Sequence, residues 1–257
     1  MSWRFAIVEV GVIPDLPLNM YLPDAPPDVL IDPPCYCFLV SDGERNVLVD
    51  TGPDRAMSAR AGFEIVGDTS GLLLAGLRAR GIAPAEVDCI VHTHLHYDHM
   101  QNDLMFPNAV VHVQEAEVEW ATGPDCGRFY TQVGELVTAL GERLHTLDGD
   151  AEIFSGLVVV HNGGHTPGHQ SVVVESGERA VCLCGDIVSM FANLAVVGSI
   201  CPNEPETVAF LDRARTAGWE MVPGHDPALR RHSCYVGPGS ARPGADRREK
   251  EEGGQFP

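Results

Sequence analysis

The octapeptide HTHLHYDH, residues 92–99, constrains this chain more than any other feature. It holds four of the eleven histidines. Imidazole loses solvation when it is buried and has no strong preference for helix or strand, so packing alone does not explain this density. If the segment is an extended loop that leaves the strand DCIV, alternate side chains share one face. His94, His96 and Asp98 could then converge on one point, while His99 faces away or into a turn.

These side chains have the chemistry of metal ligands. Imidazole and carboxylate are preferred by borderline divalent ions such as zinc. Four such groups within six residues exceed what one catalytic zinc needs, and they predict two adjacent ions. The alternative is a solvated histidine-rich loop that binds metal adventitiously.

Three further segments end a strand-like run with a ligand-type residue in a turn rich in Gly and Pro. GHTPGHQS offers His165 and His169, CLCGD offers Asp186, and VPGHD offers His225 and Asp226. A buried strand that carries such a residue at its tip builds a site on a rigid frame. We therefore expect these segments to join the cluster.

Size and charge narrow the range of functions. The 257 residues suit one large α/β domain, and no apolar run approaches the roughly 18 residues that span a bilayer. The N-terminus lacks the pattern of a signal peptide, which favours a cytoplasmic protein. The net charge of −19 argues against nucleic acid or an anionic membrane as a partner. The eight cysteines form no CxxC pair, and we expect buried, reduced thiols.

Strand-like and helical patterns alternate along the chain. Residues 14–34 contain seven prolines and predict an irregular loop that could wall a site. Residues 1–236 are expected to form one domain, and residues 237–257, rich in Gly, Pro and charge, a disordered tail. Strands in runs with inserted helices predict two mixed sheets with helices packed outside. Helices are expected at 69–81, 114–122, 130–145 and 204–218, and strands at 4–13, 35–52, 86–94, 109–113, 152–164, 170–186 and 219–226.

The motifs VLVDTG, HTHLHYDH, GHTPGHQS, CGD and PGHD occur in this order between residues 5 and 235. In that combination the chain resembles the metallo-β-lactamase superfamily. The resemblance implies an α+β fold, the αββα sandwich, in which two mixed β-sheets lie face to face with helices on the outside. The metals are then expected at one edge of the sheets.

The resemblance also implies roles for individual residues. Two divalent ions are expected, with Zn²⁺ favoured, although the same ligands accept manganese, iron or cobalt. Asp98 is expected to act in catalysis as well as in metal binding. Asp50 in VLVDTG resembles a strand-end aspartate that supports the metal loop. The expected ligands are His94, His96 and His169 for one ion, Asp98, His99 and His225 for the other, and Asp186 as the bridge.

Within the superfamily the chain is most similar to the N-acyl homoserine lactone hydrolases, on the segments HLHYDH with Asn102, GHTPGHQS and GHD. This implies that a metal-bound hydroxide opens a lactone or related ester. One departure is Ser189, where those lactonases carry a substrate-binding tyrosine three residues after the bridging aspartate. Alternatives are a hydroxyacylglutathione-type thioesterase, a degradative C–N or C–halogen hydrolase, and a non-enzymatic metal-binding protein. Dimers are common among such lactonases, and a homodimer is expected by that analogy alone.

Other candidate residues have less specific expectations. The substrate pocket is expected between residues 14–34, 62–70 and 120–145. Tyr97 could line that pocket or pack in the core, and Asp226 could orient His225 or face solvent. His165 is expected to give a supporting hydrogen bond. Of the remaining histidines, strand packing or the core is expected for His92, His112 and His161, and the surface for His145 and His232.

Overall fold

The computed structural model of the chain describes residues 2–177 and 179–237. The predicted tail therefore lies outside the described residues, apart from Gly237. Among the described residues, no helix combines the length and apolarity needed to cross a membrane. The strands are β1 (Arg4–Val12), β2 (Leu16–Pro17), β3 (Leu30–Ile31), β4 (Pro34–Ser41), β5 (Asn46–Val49), β6 (Cys89–Val91), β7 (Val110–Gln114), β8 (Leu144–Leu147), β9 (Ala151–Phe154), β10 (Leu157–His161), β11 (Gln170–Ser176), β12 (Arg179–Leu183), β13 (Glu220–Val222) and β14 (Tyr235–Val236). The α-helices are α1 (Arg55–Arg60), α2 (Thr69–Arg78), α3 (Tyr97–Met100), α4 (Glu115–Thr122), α5 (Val133–Leu140) and α6 (Glu204–Ala217).

Two mixed sheets form the centre of the molecule. One has the strand order β14-β1-β4-β5-β6-β7-β8, and the other has the order β13-β12-β11-β10-β9. β4 and β5 pair antiparallel, whereas β5, β6, β7 and β8 run parallel. The parallel strands bring their carboxyl ends to one edge of the first sheet, and the histidine cluster follows β6 at that edge.

The residues of β4 show why the sheets stack. Cys35, Cys37 and Leu39 pack in the cluster that contains residues of α2. Tyr36 and Phe38 face the other way and pack against residues of the second sheet. A strand that is apolar on both faces is expected where a sheet lies between two layers. β4 therefore forms part of both the inter-sheet core and the outer core.

Helices cover the outer faces of both sheets. α2 packs on β1, and α6 places Phe210 and Leu211 against Val160 and Val173 of the second sheet. The αββα sandwich and the α+β fold class are confirmed. The proline-rich residues 14–34 are irregular as predicted, apart from the short β2–β3 ladder and one turn of 3₁₀ helix at Leu18–Met20.

The helix predicted over residues 130–145 was wrong at both ends. α5 begins at Val133 and is followed at Gly141, whose φ is 55°, by a turn of 3₁₀ helix. A positive φ suits glycine and interrupts a right-handed helix. The chain then enters β8, which pairs parallel with β7 at the edge of the sheet.

Close packing of α2 on β1 requires Gly76. A Cβ atom at this position would lie 2.4 Å from Cγ1 of Val8. We expect Gly76→Ala to lower the free energy of unfolding by about 1–3 kcal/mol because the helix must move off the sheet. Gly134→Ala in α5 is the control, since no described atom beyond its chain neighbours and its own helix backbone lies within 4 Å of its Cβ position. Alanine favours helix, so this control should match or exceed the wild-type stability by up to about 1 kcal/mol. Urea unfolding of both variants measures the difference. Equal free energies of unfolding in the two variants would contradict the close packing of α2 on β1.

Candidate metal centre

The histidine cluster begins where β6 ends. Residues 92–96 leave the strand as a loop, but Tyr97–Met100 form the short helix α3. The extended conformation predicted for the whole segment was therefore wrong for its last three residues. Consecutive residues of a helix point about 100° apart, so Asp98 and His99 can both face the site from the first turn of α3. His96 precedes this helix with an extended backbone.

Asp186 lies at the centre of the cluster. Its Oδ1 atom is 3.0 Å from Nε2 of His225 and 3.3 Å from Nε2 of His99. Asp98 completes this side, with Oδ2 at 3.5 Å from His99 Nε2 and 3.6 Å from His225 Nε2. Two carboxylates and two imidazoles from three separate places in the chain thus meet within hydrogen-bonding range or slightly beyond it.

Four imidazoles form the other side. His94 Nε2 lies 2.9 Å from His96 Nδ1, and His165 Nε2 lies 3.1 Å from the same atom. His169 accepts a hydrogen bond at Nε2 from the backbone N–H of Asp186, at 3.0 Å. His165 Nε2 is 3.6 Å from Oδ2 of Asp186. His165 therefore lies in the cluster itself. It is closer to the candidate ligands than was expected for a residue that only supports them with a hydrogen bond.

The donor atoms fit divalent cations. Nε2 of His99 and Oδ1 of Asp186 are buried and make no hydrogen bond with the described residues. Each points into the space between its neighbours, where a cation would satisfy it. Several sets of three donor atoms lie within 4.8 Å of one another and could each hold an ion: His94, His96 and His165; His94, His99 and Asp186; and Cys35, Asp98 and His225.

The electrostatics of the cluster favour positive charge. Burial opposes ionisation of Asp186, but His225 and His99 outweigh it and hold the pKa of this carboxyl well below its usual value. Burial likewise disfavours a charged His99, yet Asp98, Asp50 and Asp186 raise the pKa of His99 well above its usual value. The carboxylates stay ionised and attract a cation to the centre.

Acceptor oxygens fix the orientation of three rings. Each oxygen can only accept, so the ring nitrogen that contacts it must donate its hydrogen. In a neutral ring the lone pair of Nε2 is then available to coordinate an ion or, as in His169, to accept from the N–H of Asp186. The three contacts are His99 Nδ1 to Asp50 Oδ2 at 2.8 Å, His169 Nδ1 to Asn162 Oδ1 at 2.7 Å, and His225 Nδ1 to the carbonyl of Pro34 at 2.8 Å.

Asp50 connects the end of β5 with the metal loop. Besides His99, it accepts hydrogen bonds from the N–H and the hydroxyl of Thr93, both at 2.8 Å. Its φ of 60° is unusual for a residue other than glycine and indicates strain that the surrounding contacts must offset. The expected supporting place of Asp50, beside the cluster, is confirmed by these contacts.

His92 does more than the strand packing predicted for it. The ring is fully buried, with Nε2 at 2.9 Å from Asp103 and Nδ1 at 3.4 Å from Asp50. Burial lowers its pKa, but Asp103 and then Asp50 outweigh this and raise the pKa to about 9. A charged His92 therefore stabilises the two carboxylates behind the cluster at neutral pH.

Glu117 joins the two histidine-bearing loops, and the sequence analysis missed it. Its carboxylate accepts from the N–H of Leu95 at 2.9 Å, the hydroxyl of Tyr130 at 3.1 Å, the hydroxyl of Thr166 at 2.6 Å and the N–H of Gly168 at 3.2 Å. Its side chain is buried in α4 among exposed acidic residues. Nothing in the local pattern distinguishes it from those neighbours, and only the tertiary contacts do.

A cavity of about 530 Å³ lies above the cluster. Asp98, Asp186, His96 and His165 line its polar floor. As expected, residues 14–34 and 120–145 supply side chains of the cavity wall. Residues 62–70 contribute only indirectly, through a side chain that lies behind the wall. The other lining residues, mostly apolar, are Ile13, Leu16, Met20, Tyr21, Tyr97, Trp120, Cys126, Phe129, Tyr130, Thr166, Pro167, Ser199, Ile200 and Pro202.

An aromatic stack forms one side of this cavity. The ring of Tyr97 lies flat on Phe63, with centroids 3.9 Å apart and planes 5° apart. Phe129 continues the stack at 5.4 Å from Phe63, and the guanidinium of Arg128 lies 4.7 Å from the Phe63 ring. Tyr97 thus both packs and lines the pocket.

The side chains of Ser189 and Asp226 form hydrogen bonds with backbone groups. The Ser189 hydroxyl is buried and donates to the carbonyl of Asp186 at 3.1 Å. Asp226 accepts from the N–H of Phe191 and of Ala228 instead of orienting His225. Asp226 is partly exposed, so the solvent-facing alternative fits it better than the orientation of His225.

The remaining histidines lie outside the cluster. His112 is half-buried beside the exposed His145, with ring centroids 5.5 Å apart. His161 is at a strand end near the carbonyl of Pro167, and His232 is half-buried rather than fully exposed. All eight cysteines are free, and all but Cys126 and Cys234 are buried.

Comparison with known proteins assigns the family. The model of the metallo-beta-lactamase superfamily matches residues 30–225, which include every residue of the cluster. The chain belongs to the metallo-beta-lactamase superfamily. Among curated relatives, an N-acyl homoserine lactonase from Bacillus sp is 30% identical over 166 residues, or 58% of this chain and 62% of the relative. The match thus spans less than two thirds of that lactonase.

Solved structures of the superfamily share the fold. An N-acyl homoserine lactone hydrolase with N-hexanoyl-L-homoserine at its catalytic metal centre has a TM-score of 0.74 at 22% identity, covering 90% of this chain and 96% of that one. A dizinc quorum-quenching lactonase with the same type of product has a TM-score of 0.70 at 20% identity, covering 88% of each chain. At this identity the likeness establishes the metallo-beta-lactamase fold.

The four hydrogen bonds of Glu117 suggest a direct test. Glu117→Gln keeps the shape of the side chain but replaces one carboxylate oxygen with an NH₂ group. That group faces two of the four hydrogen-bond donors and leaves both without an acceptor. We expect a loss of about 2–4 kcal/mol in unfolding free energy and weaker zinc binding, because both histidine loops lose their common anchor. Glu119→Gln, at an exposed position of the same helix, should change neither quantity. Urea unfolding and zinc titration test this, and unchanged stability in Glu117→Gln would contradict the anchoring role.

Proposed function

We propose that this chain is a dinuclear-metal hydrolase, with Zn²⁺ as the ion, that opens lactones or related carboxylic esters. The convergence of imidazoles and carboxylates on Asp186, at the floor of a largely apolar cavity, carries this proposal. The 30% identity to a lactonase over 166 residues gives further support. The proposed substrate is a small molecule, and the proposed compartment is the cytoplasm. The net charge of −19 opposes nucleic acid as a partner, and a homodimer is proposed by analogy alone.

The ligands are assigned as the sequence predicts. We assign His165 a supporting contact to Asp186. Because its ring lies in the cluster, His165 is also an alternative ligand to His169. Divalent ions bound here would supply Lewis acidity toward a carbonyl and lower the pKa of water. We assign His94, His96 and His169 to one ion, Asp98, His99 and His225 to the other, and Asp186 to both.

The side chains of the site have separable tasks. Asp50, Asn162 and the carbonyl of Pro34 hold imidazole rings in position. Asp98 lines the cavity, and burial of its carboxyl is outweighed by His99 and His225, which lower its pKa. We propose that this ionised carboxylate accepts a proton from the attacking water and returns it to the leaving oxygen.

The cavity wall supports an acylated substrate. Aromatic and aliphatic side chains make up most of the wall, and the polar groups are concentrated on the floor. An apolar chain bound along Tyr97 and Phe129 would place its acyl carbonyl and ring at the floor. This arrangement suits a substrate with one reactive polar end and one apolar tail.

A thioesterase of the hydroxyacylglutathione type, or a C–N or C–halogen hydrolase, is the second candidate. The observation that favours it is Ser189, whose buried hydroxyl is bonded to the carbonyl of Asp186 and does not line the cavity. The residue at this position therefore cannot contact a substrate in the way that the resemblance to lactonases implies.

Metal dependence and the role of Asp98 are tested together. Zinc-loaded protein should open N-hexanoyl-homoserine lactone, lose activity after chelation and recover it with added zinc. Asp98→Asn should lower kcat by about 10²–10⁴-fold because the amide cannot accept the proton. Asp24→Asn, at an exposed position, is the control. A panel with lactones, S-lactoylglutathione and haloalkanes, with zinc measured on each sample, distinguishes the candidates. Preference for the thioester by orders of magnitude would reject the lactonase proposal.

The aromatic wall predicts selectivity for the acyl chain. Phe129→Ala removes part of the surface that an apolar tail would contact. We expect kcat/KM to fall about tenfold for a decanoyl lactone, equivalent to burial of roughly two methylene groups, and little for a butanoyl lactone. Phe191→Ala is a matched control, because Phe129 and Phe191 are 40% and 41% exposed and only Phe129 lines the cavity. Equal losses for both substrates would contradict the proposed path of the chain.

A further inference from the structure

The cavity wall contains five side-chain hydroxyls, of which three already have partners. Tyr130 and Thr166 donate to Glu117, and Ser199 donates to the carbonyl of Asn19. The hydroxyls of Tyr21 and Tyr97 make no hydrogen bond with any residue that the structure describes. Neither hydroxyl oxygen is fully enclosed by protein, and both residues line the cavity, where a ligand or water can pair with such a group. Two donors are thus available to a bound molecule.

Contacts of the backbone fix the position of Tyr21 at the cavity wall. Its carbonyl accepts from Asn193 Nδ2 at 2.7 Å, and the carbonyl of Met20 accepts from the N–H of Ile200 at 3.1 Å. These bonds fasten the proline-rich loop to the segment that follows Asp186. A Cβ atom at Gly198 would lie 3.0 Å from the Tyr21 carbonyl, so the two segments approach closely. These contacts hold the backbone of Tyr21, and its side chain lines the cavity together with Asp98 and Asp186.

The charges around Tyr21 keep its hydroxyl protonated. Burial raises the pKa of Tyr21, and the carboxylates of Asp186 and Asp98 raise it further. Tyr21 lines the same cavity as the two carboxylates. The Tyr97 ring, in contrast, is held flat against Phe63 in the aromatic stack. Tyr21 is therefore the better placed of the two donors.

We propose that Tyr21 is a catalytic residue whose O–H donates a hydrogen bond to the substrate carbonyl oxygen. This inference rests on the proposed hydrolase function. Water adds through its oxygen to the carbonyl carbon, the acyl carbon–oxygen bond of the ring breaks, and the leaving oxygen takes a proton that the water has lost. Negative charge develops on the carbonyl oxygen during the addition, and Tyr21 stabilises it while keeping its own proton.

Three matched Tyr→Phe variants of the full, zinc-loaded chain test this role. With N-hexanoyl-homoserine lactone, Tyr21→Phe should lower kcat by about 10²-fold with little change in KM, as expected for a donor used mainly in the transition state. Tyr97→Phe should lose less than Tyr21→Phe. Tyr235→Phe, whose hydroxyl bonds to Glu9 outside the cavity, should match the wild type. Zinc content should be equal in all four proteins, and the urea midpoints of Tyr21→Phe and Tyr97→Phe should equal that of the wild type.

A binding measurement separates donation from packing. Hexylphosphonate, a tetrahedral anion, should bind more weakly to Tyr21→Phe by calorimetry and equally to Tyr235→Phe and wild type. A kcat within twofold of wild type in Tyr21→Phe, a rise in KM alone, or a larger loss in Tyr97→Phe would each overturn the inference. If the wild type cleaves neither lactones nor carboxylic esters, the proposed function fails, and the same variants are compared on the thioester that it does cleave. A kcat loss there would still support Tyr21 as the donor, and its absence would overturn it.

Discussion

The carboxylate of Asp50 links the frame of this protein to its chemistry. It follows β5 in a strained left-handed conformation and accepts from the N–H and hydroxyl of Thr93 and from the ring of His99. These bonds tie the end of one strand to the loop that leaves the next. Because β5 and β6 are parallel neighbours, a single short side chain can span the gap between their ends. The position of the histidine loop, and so of the cluster, depends on this contact.

A second layer of contacts gives the cluster its shape. Glu117 anchors both histidine-bearing loops, while Asn162 and Pro34 orient the rings of His169 and His225. Each of these groups accepts a hydrogen bond from a ring or loop that carries a candidate ligand. The rings are thereby held with a second nitrogen directed to the cluster, beside the carboxylates of Asp98 and Asp186. The fold thus assembles a set of nitrogen and oxygen atoms that suits a cation.

The cavity above the cluster also has a polar part and an apolar part. Its floor is charged, its wall is largely apolar, and most of its hydroxyls are already bonded to the protein. A molecule with an apolar tail is therefore oriented by burial of the tail, and only a few polar groups remain to act on its reactive end.

The sequence by itself determined much of the fold and of the candidate site. The spacing of HTHLHYDH and the strand-end motifs around His169, Asp186 and His225 predicted a metal cluster, and the alternating patterns predicted two sheets, because both signals are local in the chain. The helix at Tyr97–Met100, the anchoring by Glu117 and the ion pair of His92 with Asp103 were decided only by the tertiary structure. Each depends on contacts between residues that are not neighbours in the chain, and a buried glutamate in α4 has the same local pattern as its exposed neighbours. Local chemistry therefore identified the candidate ligands, and long-range packing decided what holds them in place.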